Sequence, residues 1–294
     1  MDLNTFILAV FYEVDNWFMG QKKLRGRGPQ PELSDSEVLT IEIVGEFLGI
    51  DAEKGLYAYF KRHYAEWFPA LGEVHRPTFT RQMANLWAAK ERLWRELLRR
   101  IGFDPRISLV DSFPVPTCRF ARAYRCRILP EESAFGYEEM TKQSFYGLRA
   151  HLRVCWPGVI CGLSLAPADA HELSVAEELL EGVEGWVLGD RNYWSPRLTE
   201  QLSQQGLELL APYKSKKREK KPWPRWLVQK RRRIETVAGQ LVERYRAKKV
   251  WAGDRWHLTS RWLRKILSHT MSFYLCQSGG RCSSPLRFSE LLAD

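Results

Sequence analysis

The sequence predicts a mixed α/β fold preceded by an all-helical region, and three observations carry that reading. Apolar residues recur at helical intervals through the first hundred residues, the period shortens from Arg106 to strands and a hairpin, and a basic helix-like segment follows the last strand. With 294 residues, the chain has room for one domain of about 150–200 residues and a smaller helical one, and 45% hydrophobic residues suffice for their cores. The expected division is a helical domain over 1–104, an α/β domain over 105–250 and a C-terminal helical segment with a tail over 251–294.

Taken in order, Ser34-Asp35-Ser36-Glu37 has the spacing of a capping box and opens an apolar run through Val38, Ile41, Val44 and Leu48. A second helix is expected from Thr80 toward Gly102, with Leu86, Trp87, Leu93, Trp94 and Leu97 as its core stripe. Ile107–Val110 reads as a short strand that Asp111 closes and Pro114 and Pro116 break. The connection Thr117–Ser144 is long for a compact domain, which marks it as functional or mobile. Its first half carries Arg119, Arg122, Arg125 and Arg127, and its second half carries Glu131, Glu132, Glu138 and Glu139. Leu148, Ala150, Leu152 and Val154 alternate with Arg149, His151 and Arg153, the period of a strand with one buried face. Pro157-Gly158 favours a type II turn, so Val159–Leu165 is expected to return antiparallel.

Asp169, His171 and Glu172 start a helix with Ala176 and Leu179 on its inner side, and an acid in that first turn reads as a cap. A strand at Trp186–Leu188, a helix at Pro196–Gln205 and a strand at Leu207–Ala211 follow. Pro224 suits the first turn of the final helix, whose core stripe is Leu227, Ile234, Val237, Leu241 and Tyr245. Glu235 falls on the edge of that stripe, beside Ala238 and Val242.

The formal net charge is +10, and between Lys214 and Lys249 fifteen lysines and arginines face three acids. Interleaved with Trp223, Trp226 and Trp251, this block is the footprint of a polyanion partner, although a solvated helix face or tail has the same composition. No run of about 18 apolar residues occurs, and MDLNTFILAVFYEVDNWF lacks a basic leader and a small-residue cleavage site. A soluble cytoplasmic protein without membrane contact is therefore expected. Cys118, Cys126, Cys155, Cys161, Cys276 and Cys282 contain no C-x-x-C pair, which argues against structural zinc and, in a cytoplasmic chain, for reduced thiols. The G-x-S-x-G, H-E-x-x-H, P-loop and G-x-G-x-x-G motifs are absent.

Three carboxylates stand out. Asp111 follows Ile107-Ser108-Leu109-Val110, Asp190 follows Trp186-Val187-Leu188-Gly189, and Glu235 follows three arginines in a helical segment. Acids at the carboxyl ends of two strands meet in the crevice of an open sheet, where a helical glutamate completes a cluster for two divalent cations. Two such ions about 3.5–4 Å apart activate a water or a 3′-hydroxyl and stabilise the leaving oxygen of a phosphodiester. Magnesium suits an oxygen-only donor set. Taken singly, each acid also reads as a loop starter or a solvated ion-pair partner.

The words around these acids are VDSFPVP (Val110–Pro116), FYGLRAHL (Phe145–Leu152), LGDRNYW (Leu188–Trp194) and RRRIETVAGQL (Arg231–Leu241). In their order and spacing the chain resembles the DDE transposases of bacterial insertion sequences, most closely the 982 family, over roughly residues 1–275. The resemblance implies an RNase H-like mixed five-stranded sheet flanked by helices, behind a helical DNA-binding domain. It implies Asp111, Asp190 and Glu235 as the catalytic, metal-binding acids for two Mg²⁺ or Mn²⁺ ions per active site. The implied activity is end cleavage and strand transfer at terminal inverted repeats. Double-stranded DNA, as transposon ends and target, is then the partner of a homodimer in the nucleoid. The expected DNA contacts are Arg119, Arg122, Arg125, Lys216, Lys217, Lys220, Lys221, Lys230, Arg231, Arg232, Arg244 and Lys248.

One departure is specific to this chain. Related transposases carry a tyrosine, arginine, glutamate and lysine at set spacing on the last catalytic helix; Arg231 and Glu235 fit, but Val228 and Val242 hold the other two positions. Any contact made there passes to other residues, such as Arg244 or Lys248. An RNase H-like repair or recombination nuclease and a domesticated non-catalytic DNA-binding protein are the alternatives, and the presence of all three acids argues against the second.

Overall fold

The computed structural model describes residues 1–21, 30–139, 141–213, 224–280 and 282–292, and the chain divides into two compact units. Lys216, Lys217, Lys220, Lys221 and Trp223 lie outside the described residues.

The first unit comprises 1–101, 243–247 and 254–294. It is built on α1 (Leu3–Met19), α2 (Asp35–Phe47), α3 (Glu53–His63), α4 (Ala70–Glu73), α5 (Arg76–Asn85) and α6 (Trp87–Arg100). The capping box forms in full: Glu37 N–H donates to Ser34 Oγ at 3.2 Å, and Ser34 N–H donates to Glu37 Oε2 at 2.7 Å. The single helix expected from Thr80 is instead two, divided at Leu86. At the break the Met83 carbonyl accepts from Lys90 Nζ of α6 at 2.9 Å and, from outside the segment, from Ser260 Oγ at 3.1 Å. Of the C-terminal segment expected over 251–294, residues 254–294 belong to this unit. Their helix Arg255–Ser278, numbered α10 by chain order, lies against α2, α5 and α6. Cys276 and Cys282 form a disulfide, which corrects the expectation of six reduced thiols. The turn after α10 brings them together, and spacing alone did not reveal that.

The second unit, 102–242 and 248–253, holds a six-stranded mixed sheet. Its strands are β1 (Asp104–Pro116), β2 (Ala134–Glu138), β3 (Gln143–Trp156), β4 (Val159–Pro167), β5 (Gly185–Leu188) and β6 (Leu207–Leu210). The order is β2-β3-β1-β5-β6 with β4 also paired to β3; β1, β5 and β6 run parallel and the other pairings are antiparallel. The expected five strands are thus one short, the addition being β2 within the connection 117–144.

Strand β1 does not stop at Asp111 as expected but runs through both prolines. Thr117 N–H donates to Tyr146 O of β3, so by the alternation of strand amides Pro114 and Pro116 direct their nitrogens away from β3. On that other side β1 pairs β5 only over Ile107–Leu109, so neither proline interrupts a ladder. Gly147 permits the tight pairing opposite: at φ 156° it lies where a side chain would collide with the Val115 carbonyl. The β3–β4 hairpin forms as expected, although its turn has a cis Trp156–Pro157 peptide rather than type II geometry.

Helices α7 (Glu172–Leu179) and α8 (Pro196–Gln204) cover one face. There Ala176, Leu180, Leu198 and Leu202 join Val110, Val187 and Leu209 in one apolar cluster. Helix α9 (Arg225–Glu243) buries the expected stripe Leu227, Ile234, Val237 and Leu241. Its Lys230 and Arg233 stand over the Trp156 ring, 3.8 and 5.3 Å from the centroid.

Candidate active site

A cavity of about 900 Å³ opens in the α/β unit, and Asp111, Asp190 and Glu235 all line it. The structure therefore brings the three sequence-predicted acids to one place. Among the described residues, no three His, Cys, Asp or Glu side chains stand close enough to enclose a single ion.

Asp111 projects from the middle of β1 on the face it shares with Leu152, and Ser112 N–H donates to its Oδ1 at 2.8 Å. Asp190 ends β5 and caps the 3-10 turn Arg191–Tyr193, accepting from Asn192 N–H at 2.9 Å. The LGDRNYW word has its reason here: a Cβ on Gly189 would stand 2.7 Å from that of Tyr193, so the turn closes only with glycine. Glu235 comes from α9 with Ala238 and Val242 beside it on the cavity wall, as the edge of the stripe suggested. It is exposed and forms no ion pair among the described residues, so it is not the solvated partner of the arginines before it.

A fourth acid joins them. Glu172, read from sequence as a helix cap, accepts from Ser112 Oγ at 2.9 Å and meets Arg149 Nη1 at 3.4 Å. The capping is done by its neighbour His171, whose Nδ1 accepts from Leu173 N–H. From sequence Glu172 read as an acid in the first turn of a helix; its partners come from β1 and β3 and are distant in sequence.

The cavity wall is strongly acidic. Among the described residues of the wall, Asp111, Glu138, Glu139, Asp169, Glu172, Asp190 and Glu235 outnumber the permanent cations Arg149 and Lys248, and Arg231 acts on Asp111 from beside the wall. Both cations are already engaged, Arg149 with Glu172 and Lys248 with Glu138 at 2.7 Å. Burial pushes the Asp111 carboxyl up to about 6, the Ser112 amide pulls it down, and the charge of Asp190 raises it further. Burial also raises Glu172, and it drives the Tyr193 hydroxyl up together with the charges of Glu172, Asp111 and Asp190. Asp111, Glu172, Asp190 and Tyr193 act on one another electrostatically, with Arg231 and Arg149 opposing part of the effect.

The expected DNA contacts are scattered. Arg119, Arg122, Arg125 and Arg232 are exposed, Lys230 lies over Trp156, and Arg231 is half-buried and acts electrostatically on Asp111. Arg244 is turned to the Phe47 ring and its carbonyl, at 3.2 Å from the oxygen. Of the two residues named to replace the missing helix signature, Lys248 is the one on the cavity wall.

No curated protein matches the sequence significantly. A piggyBac transposase synaptic complex with hairpin DNA shares the fold, with a TM-score of 0.50 at 11% identity over 97% of this chain and 76% of that one. A Mos1 mariner paired-end complex with Mn aligns over 82% of this chain and 87% of that one at 14% identity, and its TM-score of 0.22 carries no argument. Residues 102–249, half of the chain and the span holding the sheet, the cavity and α9, match the family described as transposase DDE domain, and the chain belongs to that family.

Proposed function

We propose that this transposase binds the terminal inverted repeats of its own insertion sequence, cuts at the ends and transfers the freed strands to a target, as in the 982 family. The observation that carries the reading is one acidic cavity to which β1, β5 and α9 bring Asp111, Asp190 and Glu235. Strand order supports an RNase H-like description of the catalytic unit. Without β2 the sheet reads β4-β3-β1-β5-β6, an antiparallel trio followed by two strands parallel to β1.

The donor set fits hard divalent cations. The wall offers more carboxylates than cations among the described residues, and the Asp111 carboxyl is raised mainly by burial, with the charge of Asp190 adding to it. Asp111, Asp190 and Glu235 would hold two Mg²⁺ or Mn²⁺ ions, and a two-ion site does not require all its acids around one point. When bound, such ions supply an activated water or 3′-hydroxyl and stabilisation of the leaving oxygen. The chain's own role is to fix the acids. The Ser112 and Asn192 amides orient Asp111 and Asp190, while Arg149 ties Glu172.

Exposed Arg119, Arg122, Arg125 and Arg232, with Lys216, Lys217, Lys220 and Lys221, supply phosphate contacts; Lys230, Arg231, Arg244 and Lys248 act from half-buried positions. The helical domain over residues 1–104 serves end binding, and the active species is a homodimer on DNA in the nucleoid. No described helix is long and apolar enough to cross a membrane.

The test uses duplexes carrying the inverted repeats that flank the gene. Joined products are expected only with Mg²⁺ or Mn²⁺, and Asp111→Ala or Asp190→Ala should lower joining by about a hundredfold or more with end binding retained. Joining above about a tenth of wild type in either variant contradicts the assignment. Cleavage without joining in the wild type would favour the repair or recombination nuclease.

A further inference from the structure

Beside the carboxylate cavity, the α/β unit carries a surface that the cleavage chemistry leaves unused. The 3-10 turn Phe120–Arg125 sets the rings of Phe120 and Tyr124 against Phe135 of β2, with centroids 6.2 and 5.2 Å apart, and Phe135 meets Tyr146 of β3 at 5.0 Å. Phe120 is 47%, Tyr124 89% and Phe135 45% exposed, so the cluster offers ring surface to solvent instead of burying it. A contiguous aromatic surface of this kind marks a contact site. It is also rigid, because Phe135 and Tyr146 are paired in register across two strands.

The surrounding charge selects the partner. Between Thr117 and Pro130 there is no acid, whereas Arg119, Arg122, Arg125 and Arg127 all occur there and are exposed. Aromatic faces set among guanidinium groups suit unpaired nucleotides, since bases of any identity stack on rings while arginines take the phosphates. A docking site for a second protein has no need of four like charges on its rim.

Position adds a second, independent argument. Phe135 and Tyr137 are two residues apart on β2, hence on the same side of the strand. Tyr137, 52% exposed, lines the cavity with Glu138, Asp111 and Asp190. Strand β2 therefore runs from the aromatic cluster to the rim of the acidic site. A base stacked on Phe135 must first leave its duplex, so the surface acts where the helix is already open.

We propose that Phe120, Tyr124 and Phe135 form a stacking platform for unpaired bases of the DNA strand entering the carboxylate cavity, so that the protein prefers an opened DNA end to a closed one. This rests on the DNA-processing reading above, and the experiment separates the two. Fluorescence anisotropy would compare a blunt mixed-sequence duplex with the same duplex bearing a forked, non-complementary end, using the full chain without divalent ions.

The wild type is expected to bind the forked probe about tenfold or more tightly. Tyr124→Ala and Phe120→Ala each reduce that preference about tenfold with blunt-duplex affinity little changed, and Tyr124→Trp restores it. Tyr124 is exposed enough that its removal leaves the fold intact, which circular dichroism verifies. Binding to the blunt duplex with no forked-end preference overturns the platform alone. An equal preference in Tyr124→Ala and the wild type, or a change of oligomeric state in that variant instead of a change in preference, also overturns it. Failure to bind either probe removes the DNA-processing reading itself.

Discussion

The helical unit buries acids and the α/β unit half-buries them, and the two treat them in opposite ways. Glu42 and Glu46 are enclosed among helices, yet each meets cations: Lys90 stands 2.6 Å from Glu42, and Arg264 and Lys265 stand 2.6 and 3.0 Å from Glu46. Burial pushes Glu42 up and Lys90 down, and their mutual attraction opposes both shifts. Lys265 is further satisfied by the Tyr245 carbonyl at 2.6 Å. In the α/β unit, Asp111 and Asp190 have only single backbone amides as partners and no ion pair among the described residues. In the first arrangement each acid has cations of the same unit beside it, although Glu42 Oε2 and Arg264 Nη1 make no hydrogen bond, and the pairs link α2, α6 and α10. The second leaves its carboxylates without an ion-pair partner among the described residues. Glu172 lies between the two cases, since Arg149 compensates it partly.

The contrast breaks most severely if the helical network is cut. Lys90→Met leaves Glu42 buried beside Arg264 with its closest partner gone, so the protein should lose about 3–5 kcal/mol in urea unfolding. A loss below about 1 kcal/mol would show that water reaches the network and that the charges there are not enclosed.

Substitutions at the cavity should show the reverse pattern, a large loss of function with little or no cost in stability. Glu235→Gln is expected to lower joining by about tenfold or more while stability changes by less than about 1 kcal/mol, because the side chain is exposed. Glu243→Gln, eight residues along α9 and also exposed, should behave as wild type. If Glu172→Gln abolishes joining and Glu235→Gln does not, Glu172 takes the third position.

The smallest effect has the most informative sign. Asp111 has its carboxyl raised from 3.8 to about 6, so the folded protein holds this proton more tightly than the unfolded chain does. Without divalent ions, stability from this group is present below pH 3.8 and is lost as pH rises through about 6. Asp111→Asn should therefore stabilise the ion-free protein by on the order of 1 kcal/mol at pH 8, with the gain vanishing near pH 4. Urea titrations at the two pH values measure it, and a destabilised variant at pH 8 would mean that the charge is already compensated.

How much of this was legible in the sequence follows the range of the interactions. Ser34 and Glu37 announce α2 because a capping box closes within four residues. The β3–β4 hairpin shows in the alternation from Leu148 to Val154. Asp111, Asp190 and Glu235 were readable from the words around them; Asp190 and Glu235 line the cavity from a strand end and a helix edge, as expected, whereas Asp111 does so from mid-strand. What escaped depends on distant partners. The Met83 carbonyl at the break before Leu86 accepts from Ser260, β1 passes its prolines because an edge is open there, and Glu172 enters the site through Ser112 and Arg149. Strand β2 was hidden in a connection whose dense charges mask the alternation of Phe135 and Tyr137.

Titration of Mn²⁺ into the purified protein, with bound ion counted by electron paramagnetic resonance, tests the assignment of Asp111 and Asp190 as ion ligands most directly. The account predicts Mn²⁺ retained by the wild type, and retention lost in Asp111→Asn and Asp190→Asn although both variants remain folded. Retention in both variants equal to that of the wild type, or none in the wild type at millimolar ion, would contradict it.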